Sequence, residues 1–176
     1  GTFGDIGVFS LQLNKIISSG EGGLLITDDK DLYHKATAKH DVGYPRIAGV
    51  SQAAECPFIT WGDGRRLTEL QGAIMRAQLK KLPGMLKEMR ANKQSILKRI
   101  KKSDHFSYRR IVDAKGDTGS TLIMIFRDKA AVDAFFKLRS EIIPELPCGL
   151  MSHSGLHIYY NCSNLVQKIP VLPDGF

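Results

Sequence analysis

No stretch of this 176-residue chain approaches the roughly 18 apolar residues of a membrane-crossing helix, and no charged-then-apolar leader opens it. The expectation is a cytoplasmic protein that does not enter a membrane. Cysteine is scarce: Cys56, Cys148 and Cys162 are an odd number, too thinly spread for the disulfide framework of a secreted domain. No G-x-x-x-x-G-K-[ST] loop occurs, which excludes a P-loop phosphate cradle. Acids are nearly absent from one region: between Arg76 and Arg110 only Glu88 and Asp104 stand against twelve of the 25 Lys and Arg. The net charge of +7 could suggest nucleic acid, but no aromatic interleaving and no nucleic-acid motif accompany this cluster. It reads as the solvated face of two amphipathic helices, and an anionic substrate or an acidic neighbouring segment is equally consistent with the excess.

What is present centres on Gly4 to Thr27, GDIGVFSLQLNKIISSGEGGLLIT. Ile6 to Leu13 and Gly23 to Thr27 read as short strands, and their apolar character predicts burial on both sides. Between them lie Lys15 and the turn Gly20-Glu21-Gly22-Gly23. A lysine amine becomes nucleophilic when desolvation or a neighbouring cation lowers its pKa. Ser10, Ser18 and Ser19 offer hydroxyls that could donate to a phosphate, and the glycines permit positive φ and close backbone approach. The same residues fit a solvated loop lysine beside a tight turn, and spacing does not separate the two readings.

Further along, acids at 28 and 29 precede a helical stretch from Asp31 to His40, with Leu32, Ala36 and the stem of Lys39 on one stripe. His40 to Gly64 is irregular, and loops of this length are usually functional or mobile. Thr68-x-x-Gln71 is a capping box opening a helix with Leu67, Leu70, Ile74 and Ala77 at core spacing. Pro83-Gly84 predicts a break, followed by a second helix from Met85 to Lys102. Phe106 to Val112 and Thr121 to Arg127 read as strands joined by a turn at Lys115 to Gly119. Asp128 is placed to cap a helix from Lys129 to Glu141. Strand, strand, helix begins an α+β layer. Cys148, His153, His157 and Cys162 hold zinc-competent side chains, but the spacing fits no standard finger and no metal is expected.

Two motifs carry a resemblance. G-D-I-G-V-F-S-x4-K-x4-G-E-G-G resembles the lysine segment of the sugar aminotransferases, pyridoxal-phosphate enzymes of fold type I. Arg66 to Ile74, RLTELQGAI, with Ala77 to Leu82, AQLKKL, resembles that family's R-[LM]-[ST]-E-x-Q-A-A…A-Q-L-x-x-L helix. The resemblance is firm to about residue 100 and looser beyond. It implies an α/β chain, a partial aspartate-aminotransferase-like fold. Residues 1–83 would be the end of the large cofactor domain, and 84–176 the start of a small α+β domain. The family has further chain on both sides, so an interior piece is expected.

The resemblance also assigns roles. Lys15 would form the Schiff base with pyridoxal 5'-phosphate and then move a proton as general base and acid. Ser10 would donate to the cofactor phosphate. Arg66 matches the arginine of an N-x-R motif near the neighbouring subunit's cofactor, which implies a homodimer with a shared active site. His40 would touch substrate, or serve the helix dipole as a terminal histidine; His153 and His157 lie where related enzymes border the substrate.

The implied reaction is amination of a keto-sugar, nucleotide-linked or otherwise, with glutamate or glutamine as donor. It belongs to amino-sugar biosynthesis, feeding polysaccharide or lipopolysaccharide. Members that remove a hydroxyl instead carry histidine where this chain has Lys15. One departure stands out: Gly64 occupies the position of the expected asparagine, so its phosphate contact is lost, made by backbone, or supplied by Arg65. The family's pyridine-nitrogen aspartate and its glycine-threonine turn precede this segment, so these residues alone are expected to bind cofactor weakly and catalyse almost nothing. The competing expectation is a non-catalytic fold relative acting as a sensor, regulator or interaction module.

Overall fold

The computed structural model describes residues 3–49, 56–153 and 158–170. They fall into two compact units, 1–102 with 109–123, and 103–108 with 124–176.

In the first unit, β1 (Gly7–Ser10) and β2 (Gly23–Ile26) form an antiparallel ribbon with Gly7 opposite Ile26 and Ser10 opposite Gly23. Both strands occur where their apolar runs predict them, though shorter. Their predicted burial does not: all of β2, and β1 apart from Gly7, is exposed. A strand is buried on both faces only when layers cover both, and among the described residues these two pair with each other alone.

Helix α1 (Lys30–His40) starts at Asp29, whose carboxylate accepts from the backbone N–H groups of Asp31 and Leu32 at 2.8 and 3.0 Å. Of its residues only Ala38 is fully buried; Lys39 turns outward to pair with Asp63 at 3.1 Å. A helix C-terminus leaves its last carbonyls without intrahelical donors. Here residues 60–65 run back along that end and supply them. Asp63 N–H donates to Lys39 O at 2.9 Å, Arg65 N–H to His40 O at 2.7 Å, and Gly64 N–H to Asp41 O at 3.0 Å. Backbones approach so closely that a Cβ on Gly43 would collide with Thr60 O, and one on Gly62 with Asp41 O.

Helix α2 (Glu69–Arg99) opens with the predicted capping box, Thr68 and Gln71 each bonding the other's backbone N–H. The break predicted at Pro83-Gly84 is absent, and the helix runs through both residues. Proline removes one donor, the one that would reach the Leu79 carbonyl. Leu79 is exposed, so water can take that place. The apolar stripe predicted as core is also uncovered: Leu67, Leu70 and Ile74 are exposed, and Met75 is buried instead. Residues 109–123 fold onto α2 as a loop rather than a hairpin turn. Arg90 Nε donates to Asp117 O at 2.7 Å, and Lys93 Nζ to Asp117 Oδ2 at 2.6 Å. Gly119 sits against the Arg90 backbone, where a Cβ would be 2.7 Å from Arg90 N.

The second unit pairs β3 (Phe106–Tyr108) antiparallel with β4 (Met124–Phe126) and adds α3 (Lys129–Ile142). Asp128 caps α3 as predicted, accepting from Ala131 N–H at 2.8 Å. Phe126 packs on Phe106 and Phe135 with ring centroids 6.0 and 5.2 Å apart. Short helical turns follow at Met151–His153, Tyr159–Asn161 and Ser163–Val166. No helix among the described residues is long and apolar enough to cross a membrane.

Candidate active site

Beyond β1 the chain leaves the ribbon and returns at β2, and Leu11 closes the excursion. Its N–H donates to Gly22 O at 2.9 Å, while its carbonyl accepts from Ser19 N–H at 3.1 Å and Ser18 Oγ at 2.9 Å. Leu11 is also buried, so the neck of this loop is fixed by both backbone and packing. Lys15 lies in the middle of the loop and is exposed. Its backbone N–H turns back to Gln12 O at 3.0 Å. Among the described residues its amine has no hydrogen bond and no ion pair.

The three serines divide by where their single proton goes. Ser18 spends it on Leu11 O, and Ser19 on Glu21 O at 2.9 Å. The expectation that these two donate to a phosphate is therefore corrected: each hydroxyl has one hydrogen, and a carbonyl takes it. Ser10 Oγ instead accepts, at 3.4 Å, from Gln12 N–H, which leaves its own proton unspent.

The glycine turn joins this loop to the second motif. Gly22 has φ +133°, and a Cβ there would lie 2.9 Å from Leu67 Cδ1. Gln71, already part of the α2 cap, donates from Nε2 to Glu21 O at 3.0 Å. The two sequence motifs that carry the resemblance are thus in contact.

At the other end of α1 a buried carboxylate holds two arginines. Asp41 is 2% exposed; its Oδ2 accepts from Arg46 Nε at 2.6 Å, and its Oδ1 faces Arg66 Nε at 3.2 Å. The Arg46 hydrogen bond, outweighing burial and helped by the charges of Arg46, Arg66 and His40, holds the Asp41 carboxyl below its ordinary value. Arg65 is drawn elsewhere, to Asp63 at 3.5 Å. Gly64 has φ +63°, the left-handed region in which asparagine is the best substitute for glycine. Its N–H is already committed to Asp41 O, so the backbone of Gly64 does not replace the donor of the expected asparagine.

Among the expected substrate contacts, His40 is exposed in the last turn of α1, and its Nδ1 donates to Thr37 O at 2.8 Å. His153 is exposed in the second unit, at the end of a helical turn. His157 lies outside the described residues. Sequence reasoning passed over Asp41 and Arg46. The one signal for them was an acid and an arginine flanking the Gly43 turn within the irregular stretch.

Comparison with known proteins places this geometry. The sequence profile of the DegT/DnrJ/EryC1/StrS aminotransferase family matches residues 1–146. The chain is 33% identical over 132 residues to a GDP-4-keto-6-deoxy-D-mannose 3-dehydratase of Yersinia pseudotuberculosis, covering 69% of this chain and 32% of that protein. It is 35% identical over 98 residues to an L-glutamine:2-deoxy-scyllo-inosose aminotransferase of Micromonospora echinospora, covering 52% and 23%. It thus spans about a third or less of these relatives. Among solved structures, an E. coli GDP-4-keto-6-deoxy-D-mannose-3-dehydratase with bound hydrated pyridoxal phosphate superposes with a TM-score of 0.66 at 24% identity, over 79% of this chain and 39% of that one. That likeness shows the fold, part of the fold type I architecture expected from the sequence. With a profile match across most of its length, the chain belongs to the DegT/DnrJ/EryC1/StrS aminotransferase family.

Proposed function

We propose that the longer protein containing this chain is a pyridoxal-phosphate-dependent aminotransferase that converts a keto-sugar, nucleotide-linked or otherwise, to an amino-sugar. The observation that carries the proposal is the Leu11-stapled loop, which presents a Lys15 amine with no partner among the described residues, five residues beyond a Ser10 hydroxyl whose proton is unspent. An amine and a hydroxyl of this kind are the donor set that a phosphate-bearing aldehyde requires, so the residues present fit the cofactor. When bound, the cofactor supplies the electron sink for breaking a bond at the amino donor's α-carbon. Lys15 would hold it covalently and would carry the proton as general base and acid. Ser10 would donate to its phosphate, and Arg66 would serve the neighbouring subunit's site in a homodimer.

His40, His153 and His157 are assigned to substrate. Glutamate or glutamine is the donor, amino-sugar supply to polysaccharide or lipopolysaccharide is the context, and the cytoplasm is the compartment. Residues 1–83 belong to the cofactor domain and 84–176 to the small domain, a division that falls within continuous α2. Amination is favoured over dehydration, despite the dehydratases among the relatives, because position 15 is lysine.

The test uses the full-length protein with added pyridoxal phosphate. A visible absorbance band is expected that borohydride converts into a covalent label, mapped by mass spectrometry to Lys15 and absent in Lys15→Ala. A full-length protein that shows neither band nor label would give the non-catalytic reading precedence.

A further inference from the structure

From the Asp41 cluster we infer that Asp41 is a positioning residue that couples Arg46 to Arg66 as a two-guanidinium clamp for a phosphoryl oxyanion. The inference deepens the proposed function and rests on it for the source of the anion. Three observations lead here. Both arginines engage Asp41 through Nε, at 2.6 and 3.2 Å, and among the described residues their outer nitrogens have no partner. An arginine fixed at Nε still offers its terminal N–H groups, the fork that matches phosphate oxygens.

The burial is one-sided. The Asp41 side chain is 3% exposed, while those of Arg46 and Arg66 are 56% and 59% exposed. The carboxylate is thus withdrawn and the cations are presented, with a net positive charge left for an incoming anion. Asp41 Oδ1 has no aligned hydrogen bond, so the carboxylate holds Arg66 by charge rather than by a completed bond.

Finally, Arg46 adopts φ +51°, a left-handed conformation that an arginine without a special reason avoids. Backbone strain of this kind gathers at binding and catalytic sites, where surrounding structure enforces it. Close by, the backbone is tightly packed: a Cβ on Gly43 would collide with Thr60 O, and one on Gly62 with Asp41 O. The strained residue is one whose side chain reaches the buried carboxylate.

The anion is either the cofactor phosphate or the diphosphate of a nucleotide-linked sugar, and titration calorimetry on the full-length protein separates them. Binding of inorganic pyrophosphate, pyridoxal phosphate and guanosine diphosphate is measured for the wild type, Arg46→Gln, Asp41→Asn and the double variant. Arg65→Gln, which removes the same charge outside the clamp, is the control. Arg46→Gln should weaken pyrophosphate by roughly tenfold to a hundredfold, the range for a lost charge-assisted contact, and Arg65→Gln should change it little. A parallel loss for pyridoxal phosphate assigns the clamp to the cofactor, and a parallel loss for guanosine diphosphate assigns it to the sugar nucleotide. The double variant should bind no worse than Asp41→Asn, because a positioning residue and its client act as a unit. If Arg46→Gln, folded by circular dichroism, binds all three anions like the wild type, or if Arg65→Gln loses as much, the clamp is overturned. A protein that shows no Lys15 label yet binds pyrophosphate in an Arg46-dependent way would retain the clamp and lose the proposed chemistry.

Discussion

Two carboxylates in the first unit sit in superficially similar places, each where an irregular segment meets a helix, and each is kept ionised by cations. Asp41, at the end of α1, is itself buried and its arginines are exposed. Asp117, on the loop that folds over α2, is 21% exposed, and its partner Lys93 is the buried member at 6%. Around Asp117 the donors are spent: Lys93 on the carboxylate, and Arg90 on the carbonyls of Asp117 and Lys115 at 2.7 and 2.9 Å. Around Asp41 the outer arginine nitrogens have no partner among the described residues. The direction in which an ion pair is buried thus separates a staple, which holds a loop, from a platform, which presents charge. A buried cation is costly unless paired, whereas an exposed one is solvated with or without its partner.

That contrast predicts where stability is lost. Lys93→Met keeps the stem's length, removes the charge, and frees the 109–123 loop from α2. It should lower the thermal unfolding midpoint by about 5 °C or more, whereas Arg46→Gln, whose amide can still donate to the buried Asp41 carboxylate, should lower it by less. Differential scanning calorimetry of the two variants checks this. Equal losses would show that both clusters are staples.

Acid sharpens the same comparison. Both carboxyls lie below the ordinary value of 3.8, Asp41 through its hydrogen bond from Arg46 and Asp117 through that from Lys93, each against the opposing effect of burial. A carboxylate whose folded pKa is depressed contributes stability that is complete above its unfolded pKa and is lost as pH falls through the folded one. Unfolding midpoints should therefore be level down to about pH 4 and fall below it. Asp41→Asn cannot titrate there, so it should start lower at neutral pH and approach the wild type in acid. Curves that stay parallel to the lowest pH would show that Asp41 gains nothing from its charge.

Features set by neighbours in sequence were legible: the Thr68–Gln71 capping box, the Asp128 cap of α3 and the positive-φ glycine turn between the ribbon strands. Each depends on residues a few positions apart. Lys15 and Ser10 could be named because their motif is contiguous, although sequence did not show that Ser10 keeps its proton while Ser18 and Ser19 lose theirs. Those fates depend on the Leu11 staple, a closure between residues that only the folded loop brings together. Asp41, Arg46 and the pairing of Arg66 with Asp41 were hidden for the same reason, since the irregular stretch separates Arg66 from its carboxylate. Pro83 misled in the opposite sense: its local rule, that proline ends a helix, yields where the deprived carbonyl faces solvent.

The smallest expected effect concerns Gly64, which lies between the platform's backbone bonds and its second arginine. Its φ of +63° suits glycine and asparagine, and a Cβ there meets nothing within 4 Å. Gly64→Asn should accordingly change stability by no more than about 0.5 kcal/mol, while Gly64→Ala, which lacks a polar group to bond locally in that conformation, should cost about 1 kcal/mol. Chemical denaturation measures both. An asparagine as costly as alanine would mean that the left-handed conformation does not explain why glycine stands where the family resemblance expects asparagine. With stability preserved, retention of pyridoxal phosphate by full-length Gly64→Asn becomes informative. Tighter retention would show that an added side-chain donor reaches the phosphate, and unchanged retention would show that no side-chain donor is needed at position 64.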